Sequence, residues 1–272
     1  MPLWVLLFLF SCDTEQHIAE NNSENNVRII TLAPHLAELI YSAGAIDNLV
    51  GVTSYSDFPE QVNSIKKIGD AFKLDYEAII SLRPDYILSW KGGTPVAVVE
   101  KLQSFGMTVI DTEIATLADI VKVVTQIAEL THTQEIALKN TQQFTSNLQQ
   151  LRNRHYHSDS LFIEINSKPL YTVSGKHWIS EAVAVCNYKN IFTDLSQISA
   201  PISLESVISN NPQTILNISP NEDSQWQNWP KLEAVKNKQI ITIHPDLFSR
   251  PSFRILIGIS KLCEFKTSGT NT

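Results

Sequence analysis

Aromatic and charged side chains recur at one kind of position in this sequence, directly after short apolar runs. The aromatic members of this set are Tyr55, Trp90, Tyr171 and Phe248. Asp246 and Arg250 follow another apolar run. Aromatic faces with a few polar groups are typical of pockets for flat organic molecules, and arginine offers a planar set of donors to an amide or phosphate. These residue types favour binding of a ring-shaped ligand; half-buried packing and a plain Asp246–Arg250 ion pair are the alternatives.

Motifs of catalytic and metal sites are missing from the sequence. It contains no Gly-x-Ser-x-Gly, no His-Glu-x-x-His and no glycine loop that could cradle a phosphate. Its seven histidines are scattered, without a Cys and His cluster at metal-ligand spacing. His35 could ligate a metal, but it directly precedes a helix, where a turn or cap role is commoner. We therefore predict no catalysis, no catalytic cofactor and no metal site.

Strands that alternate with helices position these side chains. We predict strands at 27–32, 49–53, 86–90, 107–111, 160–165, 214–218 and 239–243. Helical patterns separate them, and the first places Leu36, Leu39 and Ile40 on one face before Gly44. Alternation of this kind implies parallel sheets, and ligands of such sheets bind beyond the carboxyl ends of the strands.

One segment of the first half recurs in the second half. Residues 77–88 read Glu-Ala-Ile-Ile-Ser-Leu-Arg-Pro-Asp-Tyr-Ile-Leu, and residues 205–216 read Glu-Ser-Val-Ile-Ser-Asn-Asn-Pro-Gln-Thr-Ile-Leu. Each copy has helical spacing up to its proline and then a short apolar run. We infer two similar α/β lobes that each display one acid, Glu77 or Glu205, to a partner that contacts both lobes. Chance similarity is the alternative.

A long helical pattern without Gly or Pro runs from residue 134 to residue 154. Its sparse apolar stripe consists of Ile136, Ala137, Phe144, Leu148 and Leu151. At about 1.5 Å per residue it would span roughly 30 Å, the width of a small domain. We predict a stiff strut, with an N-terminal lobe at 27–131, a linking helix at 132–156 and a C-terminal lobe at 157–268.

The first residues resemble a bacterial lipoprotein signal. Residues 1–11 are uncharged and mostly apolar, and Cys12 follows a small residue, although no Lys or Arg precedes the run. The run is too short to span a bilayer as a mature helix. Residues 12–26 are too polar to bury a core and read as a flexible tether. We expect export and a lipid on Cys12; an ordinary secretory signal with an unrelated cysteine is the alternative.

The charge and the remaining cysteines narrow the functional class further. The net charge is −7 and no basic cluster is present, which argues against nucleic acid as a partner. Cys186 and Cys263 both fall in helical apolar patterns of the second half. Because exported proteins form disulfides, we expect a bond between these two helices; two buried free thiols are the alternative.

Several segments together resemble a known family. They read Arg28-Ile-Ile-Thr-Leu-Ala-Pro34, Gly51-Val-Thr-Ser-Tyr-Ser-Asp-Phe-Pro59, Pro84-Asp-Tyr-Ile-Leu-Ser-Trp-Lys-Gly-Gly93, Ser174-Gly-Lys176 and Asp246-Leu-Phe-Ser-Arg250. From about residue 27 to residue 266 the chain is similar to the periplasmic cobalamin-binding proteins of ABC importers. The resemblance implies two Rossmann-like α/β lobes joined by a single long rigid helix, with a corrinoid in the cleft between the lobes.

The resemblance also implies roles for individual residues. The ligand contacts it implies are Tyr55, Phe72, Trp90, Tyr171, Asp246 and Arg250. Glu77 and Glu205 would dock on arginines of the permease, and Cys186 and Cys263 would form the family's disulfide. The implied protein is a monomer that performs no chemistry and delivers its ligand to a permease dimer with ATPase subunits.

Three departures from the family pattern concern the ligand. Phe72 stands in, shifted by one position, for a family Trp; Ser199 replaces another aromatic; and Tyr171 neighbours Thr172, where the family has Phe. The wider family also carries haem and iron–siderophore complexes, so these are the alternative ligands. Two alternative hypotheses come from other functional classes. In one the protein is an enzyme that uses the cleft, and in the other it is an adaptor that binds only proteins.

Overall fold

The computed structural model describes residues 26–70, 73–219 and 225–268 as alternating strands and helices. The strands are β1 Ile29–Thr31, β2 Leu49–Val52, β3 Lys66–Lys67, β4 Tyr86–Trp90, β5 Val109–Thr112, β6 Asp159–Glu164, β7 Asn166–Ser167, β8 Leu170–Val173, β9 Tyr188–Asn190, β10 Ser199–Pro201, β11 Thr214–Asn217 and β12 Ile240–Thr242. The α-helices are α1 Pro34–Ser42, α2 Tyr76–Ser81, α3 Val96–Ser104, α4 Leu117–Thr131, α5 Gln134–Arg152, α6 Trp178–Ala184, α7 Leu204–Asn210, α8 Glu233–Lys236, α9 Asp246–Ser249 and α10 Ile255–Ser268. The predicted α/β class is confirmed.

The first five strands form one parallel sheet in the order β3-β2-β1-β4-β5. Alternate residues of its central strands enter different cores. Ile29 and Leu88 pack in the cluster that contains α1, whereas Ile30 and Ile87 pack in the cluster that contains α3. Because helices cover both faces, the central strands β1 and β4 are mostly apolar, which is why the sequence revealed them. We call this sheet with its helices the first lobe.

The second lobe contains a parallel sheet in the order β12-β11-β6-β9. An antiparallel sheet in the order β10-β8-β7 accompanies it. The sequence did not predict this small sheet, because β7 and β10 contain no run of apolar residues. Tyr171, which was expected in a loop, lies in β8 opposite Pro201 of β10.

The helix α5 lies between the two lobes in the chain and matches the predicted strut. It has 19 residues, so at about 1.5 Å per residue it is roughly 28 Å long. Its buried face packs on α4 and on α10, where the ring of Phe144 stacks on that of Phe253 with centroids 4.4 Å apart. Ile136 was placed in the buried stripe but is 49% exposed.

The sequence repeat corresponds to a repeat in the structure. In both copies a helix, α2 or α7, leads through a turn into a strand, β4 or β11. Asp75 and Ser203 occupy equivalent N-cap positions and accept from main-chain N–H groups of the first turn. Arg83 and Asn211, also equivalent, both have left-handed backbone conformations with φ of 44° and 42°. Agreement in cap and turn makes chance similarity the weaker explanation.

A disulfide joins the two cysteines of the second lobe. Cys186 and Cys263 have Cα atoms 5.2 Å apart and are bonded through sulfur. Cys263 lies in α10, as expected, but Cys186 lies in the turn after α6 rather than in the helix. Both side chains are buried.

Some predicted features lie outside the described residues. They are the signal at 1–11, Cys12, all but the last residue of the tether at 12–26, and Phe72. Within the described ranges, no helix has the length and hydropathy needed to cross a bilayer.

Candidate ligand-binding site

The carboxyl ends of the two parallel sheets meet, as contacts between their loops show. Arg250, which follows α9, donates from Nη2 to the carbonyl oxygen of Tyr55 in the loop after β2, at 3.2 Å. The ring of Trp90, the last residue of β4, lies 6.2 Å from that of Trp178 in α6. We call this region, where the loops of both lobes touch, the junction. It is the place where α/β proteins bind ligands and where the sequence predicted a site.

Four rings form a row across the junction. Trp90 meets the edge of His35 with centroids 5.0 Å apart and meets Trp178 on its other side. His177 lies against Trp178 with centroids 3.7 Å apart. Trp178 is anchored by its Nε1, which donates to the carbonyl oxygen of Phe248 at 2.9 Å. The row links α1 and β4 of the first lobe to α6 and α9 of the second.

The loop after β4 packs directly on the Trp90 ring. A Cβ atom on Gly93 would lie 2.0 Å from Cε3 of Trp90, so the loop needs glycine there. The main-chain N–H of Trp90 donates to Oγ1 of Thr94 at 3.1 Å. Trp90 therefore has a structural role, while the part of its surface that stays exposed can contact a ligand.

The guanidinium of Arg250 has a protein acceptor at each of its three nitrogens. Nη1 donates to Oε1 of Glu38 at 3.1 Å and to Oδ1 of Asp57 at 2.6 Å, and Nη2 donates to the Tyr55 carbonyl. Nε lies 3.1 Å from Oδ1 of Asp246. The predicted Asp246–Arg250 pair is present, but the arginine also joins the two lobes.

Glu38 is the most buried member of this network, with a side chain only 1% exposed. Besides Arg250, it accepts from Nη1 of Arg254 at 3.0 Å and from Oγ of Ser252. Burial raises the pKa of Glu38 above its usual range, and the hydrogen bonds from Ser252 and the two arginines oppose that rise. The carboxylate is thus expensive to bury and depends on its partners across the junction.

His35 occupies the first turn of α1, next to Trp90 and near Arg250. Burial, and then the positive charge of Arg250, lower the pKa of His35 to about 3. Its Nε2 and the hydroxyl of Thr31 are buried without a hydrogen-bond partner in the described part of the chain. The imidazole is therefore neutral at physiological pH.

The other aromatic residues predicted at the ligand site differ in how exposed they are. Tyr55 is 71% exposed, so its ring is free to contact a ligand at the rim of the junction. Tyr171 is partly buried in β8, opposite Pro201 of β10. Phe248 cannot form a face of the pocket, because its side chain is completely buried.

Glu77 and Glu205 have matching surroundings. Both are exposed and lie in the first turn of their helices, α2 and α7. In an α/β layer a helix runs antiparallel to the strand that follows it, so these helix N-termini stand at the carboxyl edge of each sheet. From this general geometry we expect the two acids on the side of the molecule that carries the junction.

Four residues of the junction were not predicted as site residues. They are Glu38, Trp178, Ser252 and Arg254. Arg250 and Arg254 are four residues apart, but the segment between α9 and α10 that holds them is not helical, so their spacing did not indicate a paired role. Their partner Glu38 lies far away in the chain, so no local pattern connects them.

A groove lies beside the junction rather than at the strand ends. It has a volume of about 520 Å³ and runs between α1, α5 and α10. Tyr41, Phe58, Ile136 and Ile257 supply much of its apolar lining, and Glu38 borders it. It borders the junction through Glu38 and Phe58, but Tyr55 and Trp90 do not line it.

Metal ligands are not grouped in the structure. Among the described residues, no set of three or more His, Cys, Asp or Glu side chains could hold a metal ion. The donor groups of the junction are instead arginines bound to carboxylates, which suit polar groups of an organic ligand.

Comparison with known proteins identifies the family. A family model described as periplasmic binding protein matches residues 29–247. The chain belongs to the periplasmic binding protein family. Proteins of this family bind solutes in the periplasm as components of transport systems, so the periplasm is the compartment of this chain.

Two relatives of this chain share one name. The "Vitamin B12-binding protein" of Vibrio campbellii is 33% identical over 242 residues, which cover 87% of this chain and 88% of the relative. The "Vitamin B12-binding protein" of Vibrio vulnificus is 31% identical over 265 residues, with coverage of 95% and 94%.

Solved structures of periplasmic binding proteins share the fold. The periplasmic vitamin B12 binding protein of Vibrio cholerae superposes with a TM-score of 0.81 at 30% identity, over 90% of this chain and 98% of that one. A possible iron-binding protein of Staphylococcus epidermidis gives 0.76 at 27% identity, with coverage of 88% and 97%. A periplasmic haem-binding protein of Roseiflexus gives 0.76 at 17% identity, which shows the fold alone. The predicted class of two α/β lobes joined by one long helix is confirmed.

Proposed function

We propose that this chain is the substrate-binding protein of an ABC importer that captures cobalamin or a related corrinoid and delivers it to the membrane permease. The observation that carries the proposal is 33% identity to a vitamin B12-binding protein over 87% of the chain. The exposed Tyr55 and the partly exposed Trp90 at the junction support it, since a corrin ring needs apolar faces.

The ligand lies in the cleft between the lobes in this proposal. Tyr55 and Trp90 contact the ring, and Asp246 and Arg250 meet polar groups of its side chains. Most N–H groups of Arg250 already donate to protein acceptors. Only an N–H group that does not bind Glu38, Asp57 or Tyr55 can therefore donate to the ligand. Phe72 and Tyr171 complete the proposed set of contacts. The protein performs no chemistry on the ligand and needs no catalytic cofactor.

The permease and the membrane are the proposed partners. Glu77 and Glu205 dock on arginines of the two permease subunits, whose ATPase subunits power transport. A lipid on Cys12 holds the protein at the membrane, and residues 12–26 serve as the tether. The protein acts as a monomer.

Haem or a ferric siderophore is the second candidate ligand. It is favoured by structural similarity to a possible iron-binding protein at 27% identity and a TM-score of 0.76. The identity to the vitamin B12 binding protein of Vibrio cholerae is 30% and its TM-score is 0.81, so the corrinoid is preferred.

A calorimetric titration with cobalamin, cobinamide and haemin tests the proposal. We expect saturable one-to-one binding of at least one corrinoid and no comparable binding of haemin. Cobinamide lacks the nucleotide tail, so comparing the two corrinoids shows whether the ring alone suffices. Binding of haemin in preference to both corrinoids would overturn the assignment of the ligand.

A further inference from the structure

We propose that Glu38 is a positioning residue of the ligand site, which holds Arg250 and Arg254 of the second lobe against the first and thereby fixes the 53–58 loop that carries Tyr55. The effect on ligand rests on the proposed function, because it requires that Tyr55 borders the ligand. The effect on the loop does not require any ligand.

Glu38 joins the lobes through a single buried carboxylate. It lies in α1 of the first lobe, whereas its three donors, Arg250, Ser252 and Arg254, all lie between α9 and the start of α10. Oε1 accepts from both arginines, at 3.1 and 3.0 Å, and Oε2 accepts from Ser252. One side chain therefore satisfies three donors that come from the other half of the chain.

The carboxylate of Glu38 allows the guanidinium groups of Arg250 and Arg254 to lie next to each other. Two guanidinium groups that donate to the same oxygen lie close together and repel each other. The negative charge of the carboxylate between them offsets that repulsion. Replacing the carboxylate leaves two partly buried cations without their common partner, which is strongly unfavourable. Without Glu38 the arginines should therefore separate or move toward solvent.

Both arginines also contact the 53–58 loop. Arg250 donates to the Tyr55 carbonyl at 3.2 Å and to the Asp57 carboxylate at 2.6 Å. The guanidinium carbon of Arg254 lies 4.3 Å from the centroid of the Phe58 ring. Glu38 thus fixes the loop indirectly at three of its residues, while Tyr55 itself projects outward.

Hydrogen exchange with mass spectrometry, on ligand-free protein, tests this directly. In Glu38→Gln, amides of the 53–58 loop should exchange several-fold faster than in the wild type. Ser252→Ala, which removes one donor to Glu38 and is milder, should act in the same direction and decides the question if Glu38→Gln does not fold.

Glu181→Gln is the matched control. Glu181 of α6 also links the lobes, because it accepts from the main-chain N–H of Leu117 and from Arg152, both at 2.7 Å. It makes no contact with the 53–58 loop among the described residues. Exchange in that loop should stay at the wild-type rate in this variant, which separates positioning by Glu38 from general loosening of the lobes.

Cobalamin titration supplies the second readout. Glu38→Gln should weaken binding, and adding Asp57→Asn should weaken it little further, because both act through Arg250. If the wild type binds no corrinoid, the proposed function fails and the exchange result alone judges Glu38. Wild-type exchange in the 53–58 loop of folded Glu38→Gln and Ser252→Ala, or equal acceleration in Glu181→Gln, would overturn the proposal.

Discussion

Individual side chains of the junction combine packing with ligand contact, and Trp90 is the clearest case. Its ring is held between His35 and Trp178 and covered by Gly93, yet part of it remains exposed. A ring fixed in this way loses little conformational freedom when a ligand binds, which favours affinity. Replacing it should therefore affect both binding and stability.

Trp90→Ala should weaken cobalamin binding by about 1–3 kcal/mol, the range of an important buried aromatic contact. Trp90→Phe, which keeps an aromatic ring, should lose less affinity for cobalamin than Trp90→Ala. Calorimetry gives the affinity, and thermal unfolding gives the stability of each variant. Trp229→Ala is the control, since Trp229 lies near the C-terminal end of α7 beside Ile208 and Asn211. Wild-type affinity in a folded Trp90→Ala protein would remove Trp90 from the ligand site.

His35 should make the protein less stable in acid. Its pKa is lowered from 6.5 to about 3 by burial and by Arg250, so below pH 6.5 the unfolded chain binds a proton that the folded chain does not. The contribution of neutral His35 to the free energy of unfolding is fully present above pH 6.5. It falls as the pH drops toward about 3, by up to about 1.4 kcal/mol per pH unit.

Urea unfolding at several pH values measures this slope. His35→Gln should flatten it but not abolish it, because burial lowers the pKa of His177 to about 4 and the pKa values of Asp57 and Asp119 are also lowered. His155→Gln is the control, because His155 is exposed, and it should keep the wild-type slope. An unchanged slope in His35→Gln would contradict the assignment of a buried neutral imidazole.

The sequence revealed the residues that follow or end strands better than the buried polar residue of α1. Tyr55, Trp90 and Arg250 were found because each follows an apolar run. Glu38 was missed because Leu36, Leu39 and Ile40 defined the buried face of α1, which left Glu38 on the face expected to meet solvent. Tertiary contacts with Arg250, Ser252 and Arg254, which lie far away in the chain, cover that face.

At the scale of elements, the repeated helix–turn–strand unit places one acid on each lobe. Glu77 and Glu205 take equivalent first-turn positions in α2 and α7. Acids there are also favoured by the helix dipole, which would make them simply stabilising. Transport separates docking on a permease from this second explanation.

The double variant Glu77→Ala with Glu205→Ala should keep its affinity for cobalamin and lose most transport. Each single variant should lose part of it, because truncating one partner of an interface ion pair costs about 2–5 kcal/mol. The measurement is uptake of labelled cobalamin by cells that contain equal amounts of each variant. Glu135→Ala is the control, since Glu135 has the same first-turn position in α5. Normal uptake by the double variant would exclude docking through these acids.

Elements with a strong pattern were predictable and short ones were not. The strand at 86–90 was predicted with the bounds it has as β4, and the strut at 134–154 ends only two residues earlier as α5. The sheet β10-β8-β7 was missed, since β7 (Asn-Ser) and β10 (Ser-Ala-Pro) contain no apolar run of the kind that marks the buried parallel strands. Its pairing depends on contacts between distant parts of the second lobe.

At the scale of the whole molecule, the contacts between the lobes argue for a rigid protein. One buried apolar cluster includes Ile40 of α1, Val124 of α4, Phe144 of α5 and Ile259 of α10. The Glu38 network and the row of rings add polar and aromatic contacts across the junction. A hinge motion would have to break these contacts together, so large closure is unfavourable.

Small-angle scattering with and without cobalamin should therefore give nearly superimposable curves. The radius of gyration should change little on binding, unlike that of binding proteins with flexible hinges. Glu38→Gln, which weakens the contact between the lobes, serves as the comparison and should show a larger change. A marked contraction of the wild type on binding would contradict the rigid strut.

Accumulation of radiolabelled cobalamin by living cells is the direct test of whether this chain captures a corrinoid for import. The comparison is between cells that lack the gene for this chain and the same cells with the gene restored, at limiting external cobalamin. We expect that loss of the chain abolishes most accumulation and that the restored gene recovers it, while haemin uptake is the same in both. Equal cobalamin accumulation in the two strains, or loss of haemin uptake instead, would contradict this expectation.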